Sequence, residues 1–190
     1  SNGVYGARIP AKADKTIVVF WIEATAEGGQ TVTEPAGAPG PAFLYQVEAT
    51  KPEYVRPLYR IVMKAADLNT LRTRDRYSDV LLDCTFVADG RAYHNHARLN
   101  RGVRYRGRSA RNCSPLSYRV QFDHDQDFHG IKRLDINGCN TQRQWLGLDF
   151  LGRTGLATPR AWFRKLCINS TVESGNHLRV ETVDVEFIER

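Results

Sequence analysis

The stretch Asp79-Val-Leu-Leu-Asp-Cys-Thr-Phe-Val-Ala-Asp-Gly90, continued by Arg91-Ala-Tyr-His-Asn-His-Ala-Arg-Leu99 and Gly102-Val-Arg-Tyr-Arg106, decides how the rest of the chain is read. Its β-branched and aromatic residues come in runs of strand length, and Ala88-Asp89-Gly90 has the composition of a hairpin turn. Strands are expected over residues 79–87, 91–99 and 102–106, with a further one over 117–122. Successive strands joined by short turns pair antiparallel, so this region reads as a meander.

Towards the amino terminus, Leu58-Tyr-Arg-Ile-Val-Met63 alternates as a strand does, and Asp67 is the expected cap of a short helix with Leu68 and Leu71 as its apolar contacts. Residues 3–48 predict three strands, over 4–9, 16–24 and 43–47. Pro10-Ala-Lys-Ala-Asp14 turns the chain between the first two, and Gly28-Gly29 with Glu34-Pro-Ala-Gly-Ala-Pro-Gly-Pro41 makes a longer break. Towards the carboxyl terminus, Trp145, Leu148 and Leu151 recur at helical spacing within residues 142–153, and Gly155 stands where a helix stops. Strands return over residues 161–168 and 176–183. The expected class is α+β: a mainly antiparallel twisted sheet with one substantial helix over residues 58–190, a linker over 49–57, and three strands of an incomplete β-sandwich over 1–48.

At 190 residues the chain can bury a core of its own, and 42% apolar with 25% charged residues excludes disordered and collagen-like classes. The longest apolar run, residues 16–21, is far short of the roughly 18–20 residues a bilayer-spanning helix needs, so no membrane span is expected. Ser1-Asn2-Gly3 show no basic-then-apolar pattern, which places any export signal upstream or already removed. The net charge of +6 is concentrated in Arg98, Arg101, Arg104, Arg106, Arg108, Arg111 and Arg119, with no Asp or Glu among them. Such a cluster attracts phosphate, nucleic acid or an acidic surface, although the commoner meaning of a charge run is a solvated strand face. Only Tyr105 and Tyr118 suggest base stacking within it, so nucleic acid is disfavoured as a partner.

In a strand over 102–106, Val103 and Tyr105 point to one face and Arg104 and Arg106 to the other. Two guanidinium groups projecting together beside Gly107 suit a phosphate or carboxylate, or else acids on a neighbouring strand. Cys84, Cys113, Cys139 and Cys167 show no C-x-x-C spacing, which argues against structural zinc and a thioredoxin-like pair. Cys113 with Cys139, both in polar loop-like surroundings, is the preferred disulfide of an exported protein, while Cys84 and Cys167 fit buried free thiols. Asp123-His-Asp-Gln-Asp127 alternates like a calcium loop but lacks the glycine and glutamate that complete one, and His94 with His96 lacks a third ligand. No metal site is assigned, and Trp21, Trp145 and Trp162 read as core.

From about residue 54 the sequence resembles the amino-terminal part of CotH-type kinase-like proteins, on the strand ending Arg104-Tyr-Arg-Gly107 with a small-residue turn and Arg111. Ser117-Tyr-Arg-Val-Gln-Phe122, the turn Phe128-His-Gly130 and the polar loop Leu134-Asp-Ile-Asn137 follow in the family's order. Leu146-Gly147 through Thr154-Gly-Leu-Ala-Thr-Pro-Arg160 matches the helix and its exit, and Glu181-Thr-Val-Asp184 with Phe187 and Arg190 the closing strand. The opening segment, with Gly3-Val-Tyr5 and Val18-Val-Phe-Trp-Ile-Glu-Ala24, resembles the last strands of a fibronectin-III or immunoglobulin-like sandwich. The family pattern departs at Arg108-Ser109, where Asn-Ser is usual, at Leu116-Ser117, where a Lys pair is usual, and at Gly138-Cys-Asn-Thr141, where Asp precedes Ser.

The resemblance implies a secreted or cell-surface protein whose chain forms the first lobe of an atypical kinase or pseudokinase, in a family whose intact members transfer phosphate from ATP to protein serine. Arg104, Arg106, Arg108, Arg143 and Glu181 are then the candidates on the phosphate or nucleotide side. The metal-binding acids and the base belong to a second lobe beyond Arg190, so ATP and Mg are expected only with that lobe, and this chain alone is expected to be inactive. A second expectation, from a different class, is a non-catalytic module that assembles into a coat or fibre through the open edges of the incomplete sandwich. A protein partner is implied either way: the second lobe, a substrate protein or another copy.

Overall fold

The computed structural model describes residues 5–49, 57–89, 96–122, 127–183 and 185–188. The amino-terminal strands are β1 (Ile17–Phe20), β2 (Ile22–Thr25), β3 (Thr31–Glu34) and β4 (Phe43–Gln46). There follow β5 (Leu58–Val62), α1 (Ala65–Thr73), β6 (Leu82–Asp89), β7 (His96–Tyr105), a 3-10 turn (Ser109–Asn112), β8 (Tyr118–Gln121) and β9 (Arg133–Asn137). The chain continues through α2 (Thr141–Arg153), β10 (Ala161–Ile168), β11 (Thr171–Val172), β12 (His177–Val180) and the one-turn α3 (Val185–Ile188).

The main sheet runs β5-β6-β7-β8-β9-β12-β10, and β10 pairs back onto β5 in parallel, Lys165 to Ile168 against Leu58 to Ile61. Seven strands therefore close into a barrel, with the short β11 beside β10. This overturns the expected α+β sheet of a kinase first lobe with one substantial helix: the protein is mainly β, and its helices are small and stand outside the sheet. Antiparallel neighbours are announced by local turns, whereas closure joins segments about a hundred residues apart in sequence, which no local pattern encodes. Asn169, in the left-handed region at φ 45°, fixes the seam by donating its amide to the Met63 carbonyl and accepting from the Met63 N–H, both at 2.8 Å.

Strand alternation fills the barrel, as expected where the interior is only wide enough for side chains. Tyr59, Ile61, Phe86, Val103, Tyr105, Tyr118, Val120, Leu134, Ile136, Leu166 and Ile168 point inward and join Phe122 and Phe128 in one buried cluster. Phe86 is its centre, with ring centroids 5.1 Å from Tyr59, 5.5 Å from Phe122 and 5.2 Å from Phe128. Cys84 is buried here, and desolvation pushes its thiol far above the usual range, so it packs as a small apolar residue.

The amino-terminal segment forms two separate two-stranded ribbons, β1 with β4 and β2 with β3, in place of three strands of a sandwich. Tyr5–Ile9 has no regular structure, the run expected over 16–24 breaks at Trp21, and β3 was not foreseen. Trp21 is 42% exposed, which corrects its reading as core, whereas Trp145 and Trp162 are half-buried and Trp145 packs on Phe163. Ala42 and Leu44 are fully buried, and the Thr85 hydroxyl donates to the Leu44 carbonyl at 2.6 Å, so β4 lies on the barrel.

Other expectations shift. The strands expected over 91–99 and 102–106 are one strand, β7, and the polar loop at 134–137 is β9. Glu181–Val183 is not a strand, and α3 follows it. Asp67 lies in the first turn of α1 and does not cap it, since the helix starts after Lys64. The turn at Gly90, residues 123–126 of the calcium-like loop, His94 and the side chain of His96 lie outside the described residues. Among those residues no helix is long and apolar enough to cross a membrane.

Candidate anion-binding face

The outward residues of three neighbouring strands bring the arginines together. Cross-strand register sets Arg104 of β7 opposite Arg119 of β8, and Arg119 opposite Asp135 of β9. Arg119 donates from Nε and Nη2 to the two oxygens of Asp135, at 2.7 and 2.9 Å, the paired fork that guanidinium and carboxylate favour. Arg106, just past β7, reaches the same carboxylate at 3.2 Å and donates to the side-chain oxygen of Asn137. Asn137 in turn donates to Gln144 of α2 at 2.8 Å, which ties the helix to the face.

A second carboxylate serves the other side. Asp79 lies 2.8 Å from Arg104 and 2.5 Å from Arg111, whose guanidinium also donates to the carbonyl of Arg76 at 3.0 Å. The hydrogen bond from Arg111 and the charge of Arg104 hold the Asp79 carboxyl below the usual range. Partial burial lowers the pKa of Arg104 and Arg106, while the hydrogen bond to Asp135 raises that of Arg119. Among the described residues four guanidinium groups thus share two carboxylates, and the face keeps a positive surplus. The Nε of Arg106 is buried with no hydrogen-bond partner, a donor still to be satisfied.

Backbone geometry shapes the rim. Gly107 has φ 87°, and a Cβ there would sit 2.9 Å from that of Ala110, so the chain leaves β7 in a turn that a side chain would strain. At Gly138 a Cβ would fall 2.3 Å from the Leu116 carbonyl oxygen, and the close approach lets the Gly138 N–H donate to Ser117 Oγ at 2.9 Å. Cys113 and Cys139, with Cα atoms 5.6 Å apart, are joined as a disulfide that ties the turn after Gly107 to the start of α2.

The structure brings Arg104 and Arg106 to one face, but not every candidate joins them. Arg108 and Arg143 are exposed, the first before the 3-10 turn and the second on α2, and neither touches the Asp135 group. Glu181 belongs elsewhere: it accepts from Arg160 at 2.9 Å. Asp79, Asp135, Asn137 and Gln144 went unread in the sequence, although Leu134 and Ile136 alternating with Asp135 and Asn137 was a strand signal. Phosphate fits this donor set. Among the described residues no group of three or more His, Cys, Asp or Glu is placed to hold a metal ion, so no magnesium-binding residues can be named.

No family model matches the sequence. The chain is similar to the inner spore coat protein H of Bacillus subtilis (strain 168), with 27% identity over 136 residues. The match covers 70% of this chain and 35% of that protein, so the chain corresponds to about a third of its relative's length. This likeness supports a relation to the CotH family.

Proposed function

We propose that this chain is the barrel portion of a CotH-like protein of a spore coat or other surface layer, and that its Arg104–Arg106–Arg119 face receives a phosphoryl group. In the complete protein that group belongs to a nucleotide, held for transfer to protein serine by residues beyond this chain. Phosphoryl transfer rests on positioning and charge neutralisation, and an arginine face supplies one wall of such a site, not the whole. The observation that carries the reading is the buried, unsatisfied Nε of Arg106 within a group where arginines outnumber acids. The Cys113–Cys139 disulfide supports an oxidising location such as the cell exterior.

Calorimetric titration of the purified chain with tripolyphosphate tests it. Binding should weaken with added salt and fall at least about tenfold in an Arg104→Ala, Arg106→Ala double variant, since hydrogen bonds to charged groups contribute roughly 1.5–3 kcal/mol each. Arg119 still satisfies Asp135 in that variant, so cooperative unfolding should persist. Tripolyphosphate that fails to bind, or binds the folded double variant unchanged, removes the proposal.

A further inference from the structure

The two arginines at the centre of the anion-binding face are held from two different segments. Arg104 is positioned through Asp79, which Arg111 of the 3-10 turn also holds at 2.5 Å while donating to the Arg76 carbonyl at 3.0 Å. Arg106 is positioned through Asn137, which donates to Gln144 near the start of α2 at 2.8 Å. Neither segment is well fastened by its own backbone. Within the 3-10 turn, the bonds from the Arg111 N–H to the Arg108 carbonyl and from the Cys113 N–H to the Ala110 carbonyl are long, 3.3 Å each. α2 begins after Asn140, which lies in the left-handed region at φ 50° and gives the helix no side-chain cap, so its first N–H groups go without that support.

The Cys113–Cys139 disulfide ties these two segments together. Cys113 follows Arg111 by two residues and Cys139 follows Asn137 by two, so one bond clamps both supports of the face. Both cysteines are half-buried beside the exposed Asn112 and Asn140, within reach of a dissolved thiol. Cys84 and Cys167 are free and buried, which leaves a reductant one bond to act on. Breaking it leaves β8 and β9 paired with each other and with β7 and β12, so the turn and the helix start are what it releases.

We infer that the Cys113–Cys139 bond is a redox switch on the arginine face: formed, it holds Arg104 and Arg106 ready for a phosphate group, and reduced, it lets their supports loosen and the affinity fall. The inference rests on the reading of that face as a phosphoryl receiver. A dithiol carries out the step. Its thiolate attacks one cysteine sulfur, the Sγ–Sγ bond breaks and the other cysteine leaves as a thiolate, and the second thiol of the reagent then displaces the first cysteine. The chain gains two electrons and two protons, and the dithiol closes into a cyclic disulfide. Donors already in place bind more tightly than donors that must be ordered on binding, which is how the bond acts on affinity. Coupling between two sites is reciprocal, so a bound phosphate should in turn make the bond harder to reduce.

The test is calorimetric titration with tripolyphosphate before and after treatment with dithiothreitol. Affinity should fall at least about fivefold on reduction, the lower end of ordinary coupling between sites. A Cys113→Ser, Cys139→Ser variant should bind as the reduced chain does, with or without the reagent. Saturating tripolyphosphate should raise, by a similar factor, the ratio of reduced to oxidised dithiothreitol at which half the chains are reduced. Hydrogen exchange should quicken on reduction at residues 108–113 and 139–144, while β5 and β6 stay protected. Equal affinity in the oxidised chain and the folded, reduced chain would overturn the switch and leave the phosphoryl reading standing, whereas no binding in either form would remove both. Loss of protection throughout the barrel on reduction would also overturn the switch, since the bond would then be a staple of the whole fold.

Discussion

Asp135 is the residue on which the arginine face turns, since two guanidinium groups converge on a carboxylate with only 8% of its side chain exposed. Removing one partner of a buried ion pair strands the other charge, so Asp135→Ala should lower unfolding stability by about 3–5 kcal/mol in urea titration. Asp149→Ala, which breaks an exposed pair with Arg153 on α2, should cost less than about 1 kcal/mol in the same assay. His177 sets a different dependence. It is fully buried, its Nδ1 lacks a partner, and desolvation holds its pKa at about 4 against an ordinary 6.5. Between those values the unfolded chain binds a proton that the folded chain refuses, so stability should fall as pH drops from about 6.5 to about 4, by roughly 3 kcal/mol. A His177→Leu variant should lose that slope in denaturation curves measured across the window. At this scale the sequence was half-legible: alternation put Arg104 and Arg106 on one face, but their acids sit on another strand and in a preceding loop, which only register and folding bring near.

Among the elements, the ribbons carry unequal weight. Leu44 on β4 is fully buried, so Leu44→Ala should cost about 2–5 kcal/mol of stability by chemical denaturation. Val32 on β3 is 70% exposed, and Val32→Ala should stay within about 0.5 kcal/mol. Most strand runs of the barrel were readable, because alternation and turn residues act over a few positions. β9 was missed because five residues between a turn and a glycine look like a loop until Leu134 and Ile136 are seen to share the inner face. The break at Trp21 was missed for the opposite reason: the run is apolar on both sides of it, while its two halves pair in different ribbons.

For the molecule as a whole, the resemblance that singled out the arginine face did not carry the architecture with it. The expected open sheet has edges, and the barrel has none along its seven strands. What decides between them is the pairing of β5 with β10, which brings Leu58 beside Lys165 and Ile61 beside Ile168. That seam also dictates the order in which a growing polypeptide can become itself. β5 leaves the ribosome among the first strands of the barrel, yet its second neighbour is made about a hundred residues later, at several residues per second. For that interval one flank of β5 stands open, and a nascent chain halted before β10 would present it to every other unfinished copy nearby.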